Sequence, residues 1–385
     1  MSTPLAITGL GIIAAPGRGL DINRAALGSA SRHLACYADP RLPLAAELPV
    51  GRVTSVLPTP TPRTAALAHC AISDALTDAA LTDRSACALL LGTCTGGMPE
   101  SEAAYLAQPE QVHAAFAQQE AHRVTARLAQ QLGCHGPRST HSVACASAAC
   151  ALAEAAEWIR QGLCPSAVVV GADALCRLTM AGFHSLKVVD PAGCRPLTEE
   201  RSGMTLGEGA AALVIEHPEH ARARGARIRA SLLGWGLRSD AYHATAPDPD
   251  GSQLQQAIAA ALTDAELSAQ DVAYACAHGT GTRDNDHCET AALAASFGTL
   301  PCASSKGSYG HCMGAAAAVE AVGSCLAIEA GTAWASAGAS EGTPLTCVDV
   351  VTTPRPLAGD VICSTSLAFG GVNAALLFGG AERCA

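Results

Sequence analysis

Read from its start, the chain sets apolar residues against Thr and Gly over residues 5–13, the pattern of a buried strand. Residues 21–27 and 62–81 carry apolar positions at helical spacing, with the proline-rich loop 58–62 between them. Residues 86–91 predict a buried strand that ends in the turn Gly92-Thr-Cys-Thr-Gly-Gly97. The stretch 100–132 is mostly helical with a break at Pro109, and Gly136-Pro137 leads into a short strand before Cys145. An alanine-rich helical pattern covers 148–160. Strands are predicted over 167–170 and 210–216, and a short helix with a glycine stop over 218–225. The alternation then begins again: strand 228–237, helix 252–267, strand 272–277, helix 286–297, helix 315–329, strands 362–367 and 374–378. Two alternating α/β halves, 1–225 and 226–385, predict a layered fold built by internal duplication, with no flexible linker to separate them.

Composition narrows the reading. With 385 residues, 49% hydrophobic and 15% charged, much of the chain must be inside. The 18 cysteines form no CxxC pair, and Met1-Ser-Thr-Pro-Leu lacks the features of a signal peptide, so reduced thiols in a cytoplasmic protein are expected. A net charge of −10 argues against nucleic acid as a partner. The cluster Arg222, Arg224, Arg227 and Arg229 reads as a solvated helix end and strand start. Residues 361–380 are uncharged over a membrane-spanning length, yet four glycines and Asn373 favour two buried strands around a glycine turn, and no membrane association is expected. Gly9-Leu-Gly11 imitates a dinucleotide fingerprint, but Pro16 and Gly17 stand where the phosphate-binding helix should begin.

Candidate chemistry starts at Cys145, where an apolar run meets a helix. Unpaired N–H groups and the helix dipole at that junction are expected to favour the thiolate and lower its pKa. His278 follows the strand 272–277, at the carboxyl edge of an α/β sheet where ligands usually bind. His311 precedes a helix, with Lys306 upstream and Glu320 downstream. Phe369-Gly-Gly-Val-Asn373 is a glycine turn between two strands. Metal binding is not expected, since neither HExxH nor CxxC spacing occurs.

Together these segments resemble the β-ketoacyl-ACP synthase (ketosynthase) family. The resemblance rests on Val143-Ala-Cys145-Ala-Ser147, His278-Gly-Thr-Gly-Thr282, Lys306 through Gly310-His311-Cys-Met-Gly-Ala-Ala316, and Phe369-Gly-Gly-Val-Asn373. Arg195-Pro196, Gly207-Glu-Gly209 and Ser239-Asp-Ala-Tyr-His243 match more faintly. The resemblance implies a thiolase-like αβαβα sandwich of two duplicated halves and a Cys-His-His site of the elongating branch. In that site Cys145 carries the acyl group, and His278 and His311 donate N–H to the enolate left when malonyl-thioester loses CO2. Backbone N–H groups of Cys145 and Phe369 would form the oxyanion hole. Lys306 and Glu320 would hold His311 and the local charge balance, an ordinary structural ion pair being the alternative.

The resemblance further implies that Thr280, Thr282 and Thr245 bind the phosphopantetheine arm, which is carried by an acyl carrier protein and is no cofactor of the enzyme itself. Phe369, Leu367 and Phe183 would line or gate the acyl pocket, and Arg63 and Arg195 would meet the acidic carrier. The expected assembly is a homodimer, or a heterodimer with a ketosynthase-like subunit. Arg283 and Leu367 depart from the housekeeping pattern, which has Pro and Phe there, and this favours a specialised polyketide or polyene role. Two rivals share the fold: a thiolase or acyltransferase, for which Cys363 is the candidate second cysteine, and a non-catalytic chain-length-factor-like subunit, which would lack the nucleophile.

Overall fold

The structure, a computed structural model, describes residues 3–37, 47–58, 61–107, 116 and 119–384. Met1 and Ser2, residues 59 and 60 of the proline-rich loop, and Pro109 lie outside the described residues. One extended sheet carries the fold. Its main strands are β1 (Leu5–Ala14), β2 (Ala88–Gly92), β3 (Arg138–His141), β4 (Ser166–Asp173), β5 (Gly209–Glu216), β6 (Ala230–Ser239), β7 (Tyr274–Cys276), β8 (Pro301–Ala303), β9 (Asp349–Val350), β10 (Ile362–Leu367) and β11 (Val372–Gly379), and a two-residue strand, Gly17–Arg18, folds back on β1. In space they run β9-β8-β7-β10-β11-β6-β1-β5-β4-β2-β3.

The duplication is visible in the pairing. Outward from β1, the steps to β5, β4, β2 and β3 are antiparallel, antiparallel, parallel and parallel. Outward from β6, the steps to β11, β10, β7 and β8 repeat that order. A short antiparallel contact, Leu5–Ile7 against Ala230–Leu232, joins the two sets.

The helices are α1 (Leu20–Ser29), α2 (Arg63–Asp78), α3 (Met98–Ala107), α4 (Ala121–Leu132), α5 (Ser147–Arg160), α6 (Arg177–Ser185), α7 (Pro218–Ala223), α8 (Ser252–Asp264), α9 (Arg283–Phe297), α10 (Lys306–Tyr309) and α11 (Ala316–Ala330). Helix α2 covers the outer face of β1, β5 and β4, and α8 covers β6 and β11. Between the two sets α5 and α11 pack on each other and on strands from both halves. Three apolar cores follow, a central one around α5 and α11 and one under each outer layer. This is the αβαβα sandwich of the thiolase-like fold.

Local sequence explains these placements. Every residue of β4 and of β5 is buried, as strands covered on both faces require. Residues Met313–Ala330 are apolar and long enough to cross a membrane, but 83% of that stretch is buried inside the protein. Gly9 and Gly11 serve packing: a Cβ there would lie 2.1 Å from Ala75 O and 2.0 Å from Ala71 O of α2. The glycine pattern therefore seats a helix on a strand, which accounts for the imperfect nucleotide fingerprint. Of the arginine cluster, Arg222 and Arg227 are exposed as expected, while Arg224 and Arg229 correct the expectation of a solvated end. Arg229 is buried and binds Asp78 of α2 and Glu329 of α11 at 2.6–2.8 Å, and Arg224 chelates the buried Glu216. The uncharged stretch 361–380 forms β10 and β11 around the turn at Gly370 and Gly371, as expected.

Candidate active site

The turn between β3 and α5 aims Cys145 inward. Ala144 is held at φ +45°, and Ser147 Oγ locks the bend by accepting from Val143 N–H at 2.9 Å and donating to Ala144 O at 2.6 Å. A non-glycine residue at positive φ persists only where its surroundings over-determine it, a common mark of a functional turn. His278 leaves the end of β7, and Glu289 of α9 fixes that turn. Its carboxylate accepts from His278 N–H and Gly279 N–H, both at 2.7 Å, and from Thr365 Oγ1 at 2.6 Å. His311 sits between α10 and α11, its backbone bonded on both sides to the stretch 205–207: N–H to Thr205 O at 2.6 Å, and Gly207 N–H to His311 O at 2.9 Å.

Three chain-distant side chains meet. His311 Nε2 lies 3.0 Å from Cys145 Sγ, and the two imidazoles stand edge to face with centroids 5.2 Å apart. One nitrogen from each ring and the sulfur all fall within 4.8 Å of one another. Such a donor set could chelate a metal were the rings free to offer lone pairs. Lys306 removes that option at His278. Its ammonium donates to His278 Nδ1 at 3.2 Å and to His278 O, and pairs with Glu320. With Nδ1 accepting, the proton of the neutral ring sits on Nε2, which makes this histidine an N–H donor toward the cavity. His311 Nδ1 is buried without a partner, so its proton too belongs on Nε2, next to the sulfur, where it is hydrogen-bonded.

Electrostatics keep both rings neutral. Burial, then Lys306, then His311 hold His278 well below the usual histidine range, and burial and Lys306 do the same for His311. Burial works against the Lys306 ammonium, but the Glu320 carboxylate outweighs it and the lysine stays charged. The expectation of a depressed thiol pKa is corrected. Burial pushes Cys145 up to about 11, although Lys306 and a hydrogen bond from Phe369 N–H pull the other way. The helix terminus acts here by geometry, presenting the sulfur, more than by acidifying it. The role expected of Lys306 and Glu320 also changes: Lys306 contacts His278 rather than His311, and Glu320 pairs with Lys306.

Cys145, His278 and His311 close a cavity of about 70 Å3. Phe369, Leu367, Phe183, Thr280, Thr282 and Thr245 all line it, as do Val188, Met204 and Asn285, which no motif had singled out. The Phe183 and Phe369 rings pack 5.6 Å apart at the wall, and the hydroxyls of Thr280 and Thr282 are 2.9 Å apart. Positive φ at Gly370 and Gly371 lets the turn present Phe369 N–H to the sulfur.

The two expected carrier contacts lie elsewhere. Arg63 binds the buried Glu208 and Val53 O while its side chain stays partly exposed. Arg195 is partly exposed and 3.9 Å from Asp190. Cys363 is buried within β10 and does not line the cavity, so the second cysteine a thiolase needs is not brought to Cys145. Glu289 and Asp173 were missed in the sequence. Asp173 is buried at the end of β4, where it accepts from Cys94, Thr95 and Gly314 N–H groups and ties the loop after β2 to the His311 segment. The signal for Asp173 was an acidic residue inside an apolar stretch, and Glu289, in the polar run 283–290, had none.

Comparison with known proteins agrees with this geometry. Residues 61–221 match the N-terminal domain of the beta-ketoacyl synthase family, and residues 229–339 match its C-terminal domain. Nodulation protein E of Rhizobium meliloti is 39% identical over 258 residues, 66% of this chain and 64% of that protein. The 3-oxoacyl-[acyl-carrier-protein] synthase 2 of Staphylococcus aureus (strain COL) is 36% identical over 265 residues, again 66% and 64%. The chain thus matches just under two thirds of the length of these relatives. Among solved structures, the ishigamide ketosynthase/chain length factor superposes with a TM-score of 0.91 at 30% identity, covering 99% of this chain and 100% of that one. The order of its motifs, the sandwich that carries them and these matches place the chain in the β-ketoacyl synthase family.

Proposed function

We propose that the protein is an active condensing enzyme, a 3-oxoacyl-ACP synthase working in a polyketide, polyene or fatty-acid-like pathway. The observation that carries this reading is the 3.0 Å approach of His311 Nε2 to Cys145 Sγ beside a second imidazole locked as an N–H donor by Lys306. In the first half-reaction the Cys145 sulfur attacks an acyl thioester. The carrier's C–S bond breaks, and the carrier thiol leaves with the cysteine's proton. The N–H groups of Cys145 and Phe369 bind the tetrahedral oxyanion. In the second, malonyl-thioester loses CO2, and the enolate oxygen is held by the Nε2–H groups of His278 and His311. The enolate carbon then attacks the acyl carbon on Cys145, and the cysteine sulfur departs and regains a proton.

The Thr280 and Thr282 hydroxyls suit the amides of a phosphopantetheine arm, with Thr245 at the rim, and the arm comes and goes with an acyl carrier protein. Arg63 and Arg195, both partly exposed, are the candidate contacts for that carrier. The partner is a second copy or a ketosynthase-like subunit, and the compartment is the cytoplasm. A subunit that only shapes a neighbour's pocket has no use for a sulfur aligned on two donor imidazoles, which favours the catalytic reading. Incubation with acyl-carrier and malonyl-carrier thioesters tests it by intact mass and product analysis, alone and with candidate partner subunits. The expected result is acylated Cys145, lost in Cys145→Ala, followed by a β-ketoacyl product. Absence of both in every combination would overturn the catalytic role.

A further inference from the structure

One wall of the cavity beside Cys145 comes from the turn that carries Thr280 and Thr282 into the first turn of α9. Asn285 closes that wall and is only 7% exposed. Its side-chain amide is oriented from behind. Nδ2 donates to Asp286 Oδ1 at 3.1 Å and to Glu289 Oε2 at 3.4 Å. Those same two oxygens accept from Gly281 N–H and Gly279 N–H, so the amide cannot be flipped without setting its own oxygen against two acceptors. Oδ1 is therefore the atom left to the cavity, and among the described residues nothing donates to it. A carbonyl oxygen held in so buried a wall needs a donor from whatever fills the cavity.

The neighbouring groups say what kind of ligand brings that donor. The Thr280 and Thr282 hydroxyls share a hydrogen bond of 2.9 Å, and Thr280 Oγ1 also accepts from Thr282 N–H at 3.3 Å. With Thr280 donating in the shared bond, Thr282 keeps one O–H free. Of the two carboxylates on the lining, Asp240 is taken up by Asn373 Nδ2 and Asp248 N–H, and Asp284 is exposed to solvent. The wall thus offers one hydroxyl donor and one carbonyl acceptor. A carboxylate or phosphate brought against Oδ1 would meet lone pair with lone pair, whereas an arm with two secondary amides presents both an N–H and a C=O. We infer that Asn285 is a substrate-binding residue for the carrier's arm, its Oδ1 accepting the N–H of one phosphopantetheine amide while Thr282 donates to an amide carbonyl of the same arm. The inference rests on the condensing reading above and adds to it the acceptor that the threonines alone do not supply. Holding an N–H as well as a C=O restricts rotation of the arm about its long axis, and so the face of the thioester that is turned to Cys145.

Carrier-free pantetheine thioesters test this without any contribution from protein docking. Acylation of Cys145 in the full-length protein is followed by intact mass, with an acyl-pantetheine and with two analogues in which one or the other amide N–H is replaced by an ester oxygen. In the wild type one analogue is expected to acylate about tenfold more slowly than the amide. In Asn285→Ala the amide substrate is expected to slow by about the same factor and that analogue no further, so that the two become equal. Equal rates for all three substrates in the wild type overturn the inference, with no need for the variant to fold, and leave the condensing reading standing. An amide-to-ester difference that survives in Asn285→Ala overturns it as well, because the N–H then meets another acceptor. No acylation of Cys145 by any of the three or by the carrier-bound acyl group overturns the condensing reading and this inference with it.

Discussion

Lys306 decides what His278 can do. An ammonium on Nδ1 fixes the tautomer, and a neutral uncharged substitute would let the ring turn over or ligate. Lys306→Met should therefore lower kcat for condensation by about 10²–10³, the usual effect of losing one preorganised donor, while single-turnover acylation of Cys145 falls much less. Measuring the two half-reactions separately checks this. The same charge favours the cysteine thiolate but burial outweighs it, so alkylation by iodoacetamide should be slow at neutral pH and climb about tenfold per pH unit toward about 11. In Lys306→Met that curve should shift to still higher pH. Both histidines are held well below the ordinary range and are thus neutral across neutral pH. The kcat/KM profile should show no acid limb near ~6.5; a limb there would mean that the rings are solvated. At this scale the sequence was most legible for the residues proposed to make bonds in the reaction. Cys145, His278 and His311 sit in motifs, but Glu289 and Asp173 act through backbone N–H groups of distant turns, and no local pattern announces such a contact.

Among the elements, long periodic stretches were easy to read and short ones were not. Helix α2, predicted over 62–81, spans Arg63–Asp78, and helix α11, predicted over 315–329, spans Ala316–Ala330. Helix α6 and the small sheet of Ala35–Tyr37, Leu48–Gly51 and Leu206–Gly207 had no counterpart in the pattern. Their strands are two to four residues long, below the length at which alternation can be told from chance, and tertiary contacts alone define them. Close helix-to-strand approach was likewise visible only as glycines of uncertain meaning. Gly11→Ala would drive a methyl into Ala71 O of α2, and we expect about 1–3 kcal/mol of destabilisation in chemical denaturation, with α2 displaced from β1.

Across the whole molecule, the repeat seen in the alternation of elements is matched strand by strand in the sheet order, although the sequence could not show that β1 and β6 pair to join its two parts. Nor could it show what clamps them. Arg229, read as solvated, joins Asp78 of one outer helix to Glu329 of the central helix α11. Arg229→Ala leaves Glu329 with Arg24 and Asp78 with Leu10 N–H and should cost about 1–3 kcal/mol, seen as a lower denaturation midpoint; a loss below ~0.5 kcal/mol would show that the clamp is dispensable. Strand β3 lies at one end of the sheet, paired only with β2 among the described residues, and its final residue His141 stands four positions before Cys145. A companion polypeptide laid along that outer border would fix the register of the very segment that delivers the sulfur. Under the proposed condensing role, a chain joined there would set turnover from outside the cavity, with every cavity residue unchanged.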